Sequence, residues 1–504
     1  MKMAALQYFT DYFNFKWTCV LIVMILALHY LTQRGKKTPP GPWTFPIFGS
    51  FPVIAVRMLR SGSLTQPHQF FASLSKVYGS MYSFSVFGQQ IIILNDYASI
   101  KEAFHNQHLN DRPTTPFTMK VGGGPGVLMT SGDLWKQQRK FSLSALRSMG
   151  VGKSSFEDQI SRETGVLITE LSKKTGQVFD PRKLIVNAVS NVICSVVFGK
   201  QYSYDDPEFR KLLEIAERHI QLVGAGGAQA FVKVLQYLPT KTNRELIKNA
   251  DRMEQFVQKH IDEHRSQFDP DDIRDYTDVY LEEIRLHKER GEVLHLKEDN
   301  VRGAVNNVFG AGVETTSTTL RWAFLYMITH PEIQKRIQDE IDSVIGRNRL
   351  PRLSDRNNLP FTMATISEIQ RHASILFLGF PHSAARDTKL CGYDVSEGAM
   401  IISNLWAIHH DPDFWQDPET FNPDRFIDSD GNVQQHEEHL IPFSIGRRAC
   451  LGENLAKMEL FLFFSHLLHQ FSFEKSDGQT YSLVGNVGLT YTPQTYQFKA
   501  VKRN

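Results

Sequence analysis

The segment Phe443-Ser444-Ile445-Gly446-Arg447-Arg448-Ala449-Cys450-Leu451-Gly452 constrains this chain more than any other. It forms an F-x-x-G-x-x-x-C-x-G frame, and an unbroken helical pattern from Glu453 to about Gln470 follows directly. A thiol at a helix start beside two arginines is expected to have a depressed pKa, because the positive helix end and the cations favour the thiolate. Gly446 and Gly452 permit unusual dihedrals and let backbone approach something flat and bulky. Backbone N–H groups of such a loop can point at the sulfur and temper its electron donation. A lone cysteine is more often a buried structural residue; inside this frame it reads as a presented thiolate.

The 504 residues suffice for two or three ordinary domains or one unusually large one. A formal net charge of +2 points to no nucleic-acid partner. The cysteines Cys19, Cys194, Cys391 and Cys450 are widely spaced with no C-x-x-C, so neither a zinc site nor a disulfide framework is suggested. With Cys450 reserved as a ligand an odd number remains, which favours a reducing compartment for the folded body.

Residues Trp17–Leu31 are nearly all apolar, and Arg34, Lys36 and Lys37 follow at once. The run is shorter than the roughly 20 residues a spanning helix prefers, but Tyr12, Phe13 and Phe15 can extend it at the interface and Lys16 can snorkel. The basic residues stay cytosolic by the positive-inside rule, placing the N-terminus in the lumen and the body in the cytosol. A cleaved signal peptide is the alternative, and Tyr30-Leu31-Thr32-Gln33-Arg34 makes a poor cleavage site. Thr38-Pro39-Pro40-Gly41-Pro42 then reads as a semi-rigid spacer or a plain loop. The expected organisation is an anchor with basic stop-transfer at 1–37, a proline-rich hinge at 38–50 and one large domain at 51–504.

Alternation predicts a hairpin of Met81–Val86 and Gln90–Leu94 about Phe87-Gly88-Gln89. Further short strands are expected near Ser383–Asp387, Lys389–Val395, Met400–Asn404 and in the last 25 residues. Helical periodicity covers 156–173, 183–198, 207–223, 242–267, 273–288, 298–329, 331–345, 361–372 and 453–470. The fold class is therefore mainly α with small β-sheets. Gly122-Gly123-Gly124-Pro125-Gly126 reads as a flexible loop, and the apolar stretch Phe231–Leu238 either dips into a membrane surface or packs on the core.

Three further motifs carry chemistry. The proline-free stretch Lys297–Thr329 contains Ala311-Gly312-Val313-Glu314-Thr315-Thr316. Gly312 beside hydroxyl residues is a place for the helix to open, and the Thr315 hydroxyl can reach the carbonyl of Ala311. An acid beside an alcohol there is a suitable proton relay for oxygen chemistry. Glu368 and Arg371 lie at i and i+3, where Arg425 of Phe421-Asn422-Pro423-Asp424-Arg425-Phe426 can join them in a buried ionic network that fixes geometry. Trp135 and Arg139 put two donors on one helix face, suited to a carboxylate of a bound ligand. A thiolate held as Cys450 is expected to be is a good fifth ligand for haem iron.

In order along the chain, W-x-x-x-R, A-G-x-E-T-T, E-x-x-R, the F-x-P-x-R-F-like segment and F-x-x-G-x-x-x-C-x-G resemble the cytochrome P450 superfamily. Asp111-Arg112-Pro113, Phe380-Pro381-His382 and the proline-rich entry make the chain similar to a microsomal animal family 2 monooxygenase. The resemblance implies haem b with Cys450 as axial thiolate, and Trp135, Arg139, Arg112, His382 and Arg448 as contacts to its propionates. It implies Thr315 and Glu314 as the acid–alcohol pair that supplies protons, and Glu368, Arg371 and Arg425 as a structural triad. Phe117, Phe309, Ala311, Phe377, Leu378, Phe380, Val487 and Leu489 are implied to line an apolar substrate pocket. The departures are Asp424 where glutamate is common, Phe377 where many family 2 relatives carry proline, and Glu397-Gly398-Ala399 for Lys-Gly-Thr.

The implied reaction inserts one oxygen atom of O2 into a lipophilic substrate, by hydroxylation or epoxidation. A fatty acid such as a polyunsaturated acid, a steroid or a xenobiotic would serve. Electrons would come from NADPH–cytochrome P450 reductase, with cytochrome b5 as a second donor. Lys136, Lys140, Arg447 and Lys457 would present a basic face to the reductase. The implied location is the endoplasmic reticulum membrane, with the catalytic domain facing the cytosol. Two alternatives are a thiolate-haem isomerase or dehydratase acting on lipid hydroperoxides without a reductase, which the intact Glu314-Thr315 argues against, and a non-enzymatic haem sensor or carrier.

Overall fold

Strands β1 (Met81–Val86) and β2 (Gln89–Leu94) pair antiparallel, so the expected hairpin is present with its turn shortened to Phe87-Gly88. Both turn residues have positive φ, 48° and 83°, as a two-residue turn matched to strand twist requires. Ile91 to Leu94 are completely buried, since β2 is an interior strand packed on both faces. Strands β3 (His382–Ser383) and β4 (Met400–Ser403) complete the sheet in the order β1-β2-β4-β3. β4 runs parallel to β2, with Ile91 opposite Met400, and antiparallel to β3. The expected strand Ser383–Asp387 is thus reduced to its start. Lys389–Val395 is a small hairpin, Thr388–Leu390 with Tyr393–Val395, turning at Cys391 and Gly392 with positive φ.

The computed structural model describes residues 37–225, 233–291 and 298–503, with Trp17, Thr18, Val20 and Met24 besides. The expected anchor lies largely outside the described residues, and among those described no helix is long and apolar enough to cross a membrane.

Five helices position the site: α1 (Gly132–Ser148), α2 (Arg182–Phe198), α3 (Glu298–Thr329), α4 (Pro360–Ala373) and α5 (Glu453–Gln470). α3 has 32 residues, about 48 Å at helical rise, and packs against α2, α4 and α5 as a central axle. From Met458 to His469 α5 is buried on every side. Phe461, Leu462, Phe463 and Phe464 are at most 1% exposed, each contributing about 1.5–3 kcal/mol by burial. The helix expected from 273 starts at Tyr276, because Asp275 caps it by accepting from Thr277 N at 2.9 Å and Asp278 N at 3.1 Å. Helices at Phe51–Arg60, Pro67–Tyr78, Tyr97–His105, Pro116–Val121 and Leu405–His409 were not anticipated by the periodicity.

Two loops differ from expectation. The glycine segment at 122–126 is pinned against α3: Asn307 Nδ2 donates to Gly122 O at 3.0 Å, and Gln138 Nε2 of α1 donates to Pro125 O at 2.9 Å. A Cβ on Gly126 would collide with the Gly303 carbonyl, so this glycine serves close approach rather than flexibility. The proline segment is fastened to β1, where Ser83 N donates to Pro40 O at 2.8 Å and Ser83 Oγ to Pro39 O at 3.1 Å. The apolar stretch at 231–238 is described from 233 onward; Leu235 packs beside the sheet while Tyr237 and Leu238 are exposed.

Candidate functional site

Cys450 lies two residues before Gly452, the N-terminal cap of α5, in a loop closed by its own N–H on Phe443 O at 2.9 Å. Ser444 and Gly446 bend that loop with φ of 58° and 75°. A Cβ on Gly446 would stand 2.5 Å from Phe104 O, so glycine is required by both dihedral and space. Gly452 has φ −94° and open surroundings, so the unusual backbone expected there falls on Ser444 instead.

The Gly452 N–H does point at the sulfur. The expected low thiol pKa is corrected: Cys450 is exposed to the open site, yet the protein packed around it desolvates the thiol and, with Glu453, pushes its pKa up against the Gly452 N–H and the Arg139 guanidinium that favour the thiolate. Arg448, two positions earlier, faces away and donates to Asn110 O at 2.8 Å and Thr130 O at 2.7 Å. A coordinating metal inverts this logic, because it deprotonates the thiol outright.

Above the loop, α1 and the segment around 110 bring cations together. Arg139 Nη2 donates to Ala449 O at 2.7 Å. Arg112 donates to Leu128 O at 3.2 Å, Phe380 O at 3.0 Å and Pro381 O at 2.7 Å. Arg448 lies 3.9 Å from the Trp135 ring centroid, and His382 stacks on Phe104 while its Nδ1 meets Leu109 O at 3.0 Å. Burial pushes Arg112 down to about 9, and Arg139 pushes the same way; burial with Arg112 and Arg139 brings Arg448 to about 8. Burial, then Arg112 and Arg448, also holds His382 neutral. Among the described residues the buried Trp135 Nε1 has no acceptor. A nest with excess positive charge and an unused indole N–H fits the two carboxylates of a haem, so the residues present fit the group.

The middle of α3 carries the second half of the site. Thr315 Oγ1 donates to Ala311 O at 2.8 Å, as its spacing predicts, and Ala311 is exposed on an otherwise buried helix. The helix is nevertheless unbroken, and Gly312 serves packing: a Cβ there would meet the Ile193 side chain of α2 at 2.6 Å. Glu314 does not bond Thr315. Its Oε1 accepts from Thr490 Oγ1 at 2.6 Å and from Thr318 Oγ1 at 3.2 Å. Burial pushes the Glu314 carboxyl up, while Thr490 and Arg321 oppose it. Nothing in the linear sequence singles out Thr490, because its partner is 176 residues away. Glu459 of α5 was likewise missed; burial pushes it up to about 8, with Thr316 donating to it at 3.1 Å.

The residues expected to line the pocket divide. Phe309 is corrected to the core, 2% exposed between Phe198 of α2 and Phe256. Phe377 packs on His68 and Tyr491 and is 5% exposed. Leu378 joins the apolar cluster under the sheet, and Phe380 lies beneath Arg112, 4.7 Å from its guanidinium. Phe117, Val487 and Leu489 are half-buried. Leu489 N donates to Ile220 O at 3.3 Å, which brings its strand end to the helix Pro207–Ala225.

The ionic network assembles. Glu368 accepts from Arg371 Nε at 2.6 Å and Nη2 at 2.8 Å, with Arg425 Nε 3.6 Å away. Asp424 points outward to Arg336 at 2.8 Å, which explains why an aspartate is tolerated there. On the proposed basic face, Lys136 pairs with Asp133 and Lys457 with Glu453. Lys140 and Arg447 are exposed and make no ion pair among the described residues.

A glycine-bent cysteine loop at the foot of a buried helix, a cluster of buried cations, and a glutamate next to a threonine on the central helix are features that a thiolate-haem oxygenase would use. The family profile described as Cytochrome P450 matches residues 39–500, and the chain belongs to that family. Cytochrome P450 2J2 of Homo sapiens is 38% identical over 486 residues, covering 95% of this chain and 94% of that protein. Cytochrome P450 2J5 of Mus musculus is 37% identical over 489 residues, with coverage of 96% and 95%. Cytochrome P450 18a1 of Drosophila melanogaster is 38% identical over 493 residues, with coverage of 95% and 90%. The chain is thus a monooxygenase whose haem iron is held by a cysteine thiolate.

Proposed function

We propose that this enzyme oxidises a lipophilic substrate, a fatty acid, steroid or foreign compound, by hydroxylation or epoxidation, with electrons supplied from NADPH by cytochrome P450 reductase. The observation that carries the reading is the buried Glu314 carboxyl beside a Thr315 hydroxyl whose proton rests on Ala311 O. A peroxide isomerase needs no such proton supply.

Bound haem would supply the activation of dioxygen. Cys450 would hold it from the loop, and Trp135, Arg139, Arg112, His382 and Arg448 would fix its propionates. On the other face, Thr315 would place a hydroxyl and Glu314 would hold the proton to be delivered, in a site whose burial strengthens each interaction. Ala311 leaves the helix surface open to a substrate, and Phe117, Phe380, Val487 and Leu489 would supply the apolar walls.

Exposed Trp43, Phe45, Ile47 and Phe48 follow closely on the apolar N-terminal run. A contiguous apolar strip of this kind supports docking at the endoplasmic reticulum membrane. Exposed Lys140 and Arg447 support an acidic redox partner such as the reductase, with cytochrome b5 as a second donor. Reconstitution with reductase, NADPH and candidate lipids, read by mass spectrometry, is expected to give products one oxygen heavier. Turnover of lipid hydroperoxide without reductase, and none with it, would overturn the reading.

A further inference from the structure

We propose that Thr490 is a positioning residue for Glu314, so that the C-terminal hairpin sets where the carboxyl of the proton relay sits. The proposal rests on the relay reading above. Thr490 is 2% exposed, and its hydroxyl makes the shorter of the two bonds to Glu314 Oε1. Adjacent side chains on a helix do not face each other, so Glu314 is held by partners other than Thr315. Thr318 of α3 holds it at 3.2 Å, and Thr490 is the closer partner and the one from outside the helix.

The hairpin that carries Thr490 consists of the two-residue strands Asn486–Val487 and Tyr491–Thr492. A pair this short has little stability of its own. It is held at neighbouring points: Trp322 Nε1 of α3 donates to Tyr491 O at 2.8 Å, and Tyr491 N donates to Ile375 O at 2.7 Å. One hairpin is therefore clamped to α3 twice, by the Thr490 hydroxyl on Glu314 and by the Trp322 indole on the Tyr491 carbonyl. The same hairpin carries Val487 and Leu489, which are proposed to line the substrate pocket, so a substrate that shifted them would reach Glu314 through one hydrogen bond.

Beside that bond lies a cavity of about 20 Å³ lined by Glu217, Gln221, Glu314, Asn486, Thr490 and Thr492. This is room for about one water. The charged groups acting on Glu314 are Arg321 from its own helix, which favours the carboxylate, and Glu217 from Pro207–Ala225, which opposes it.

Thr490→Val keeps the shape and removes the donor; Thr490→Ser keeps the donor. In the haem-loaded full chain the protonated Glu314 carboxyl is followed by its infrared C=O stretch, assigned by its loss in Glu314→Gln. Thr490→Val is expected to move the stretch to higher wavenumber and raise the titration midpoint, with Thr490→Ser restoring both. With reductase and lauric acid as the lipid probe, peroxide released per NADPH is expected to rise roughly three- to tenfold in Thr490→Val, the weight of one hydrogen bond. A stretch and midpoint unchanged in Thr490→Val, or not restored by serine, overturns the positioning role. Peroxide release unchanged in Glu314→Gln overturns the relay reading instead, whatever the stretch does in Thr490→Val.

Discussion

Arg371 and Glu368 form a two-pronged ion pair with no exposure of either side chain, and Arg371 also donates to His409 O at 2.8 Å and Pro418 O at 2.9 Å. This ties α4 to the chain that leads into the cysteine loop. His409, whose carbonyl Arg371 takes, accepts at Nε2 from the N–H of Ile441 at 3.0 Å, nine residues before the thiol. The pair therefore supports the loop through backbone groups.

Removing one partner leaves a buried uncompensated charge. Arg371→Met is expected to destabilise the fold by about 3–5 kcal/mol in denaturant unfolding, whereas Glu368→Met/Arg371→Met recovers much of that loss. Equal losses in the single and double variants would contradict an ion pair whose role is geometric.

Gly446→Ala combines a left-handed dihedral with a Cβ 2.5 Å from Phe104 O. Strain of about 1–3 kcal/mol per site, added to the clash, is expected to impair haem loading. The ratio of haem to protein after purification measures it, and full loading would contradict the packing of this loop.

Acid should weaken the protein from a defined pH. Burial holds His409 at about 3 and His466 and His68 at about 4, against an ordinary value of 6.5. The unfolded chain takes up these protons first, so the stabilisation is complete above about 6.5 and is lost as pH falls toward 3–4. Each group contributes up to about 1.4 kcal/mol per pH unit in that window. Urea midpoints measured between pH 7.5 and 5 should fall steadily with pH, while a flat profile would show that the neutral histidines are not buried.

Thr315→Ala removes the hydroxyl on Ala311 O without touching the cysteine loop. Haem content is expected to stay normal while product formation falls by about a hundredfold or more, the range of a lost proton-transfer group, and peroxide release rises. Thr315→Ser should restore most of the product.

Much of this was legible in the chain. The helices 298–329, 331–345 and 453–470 read to the residue, because apolar periodicity runs to clear stops: His330-Pro331 separates the first two, and strand Phe471–Lys475 follows the third. Other elements were hidden. The helix Tyr97–His105 carries its signal in one cap, Asp96 accepting from Ser99 N at 2.8 Å. Phe309 was misassigned because a helix buried on most sides has no face that marks the pocket. The charge around Cys450 was misjudged for a similar reason. Arg448 stands two positions away, yet Arg139, 311 positions earlier, is the arginine that acts on the thiol. Local spacing shows which residues a helix groups together, but carries little about contacts between distant segments such as Thr490 with Glu314.

The absorption spectrum of the ferrous–CO complex of the haem-loaded chain tests the central claim most directly. The account predicts the red-shifted Soret band of a thiolate ligand in the unmodified protein and its loss in Cys450→Ala. A band unchanged by that substitution would contradict the assignment of Cys450 as the iron ligand.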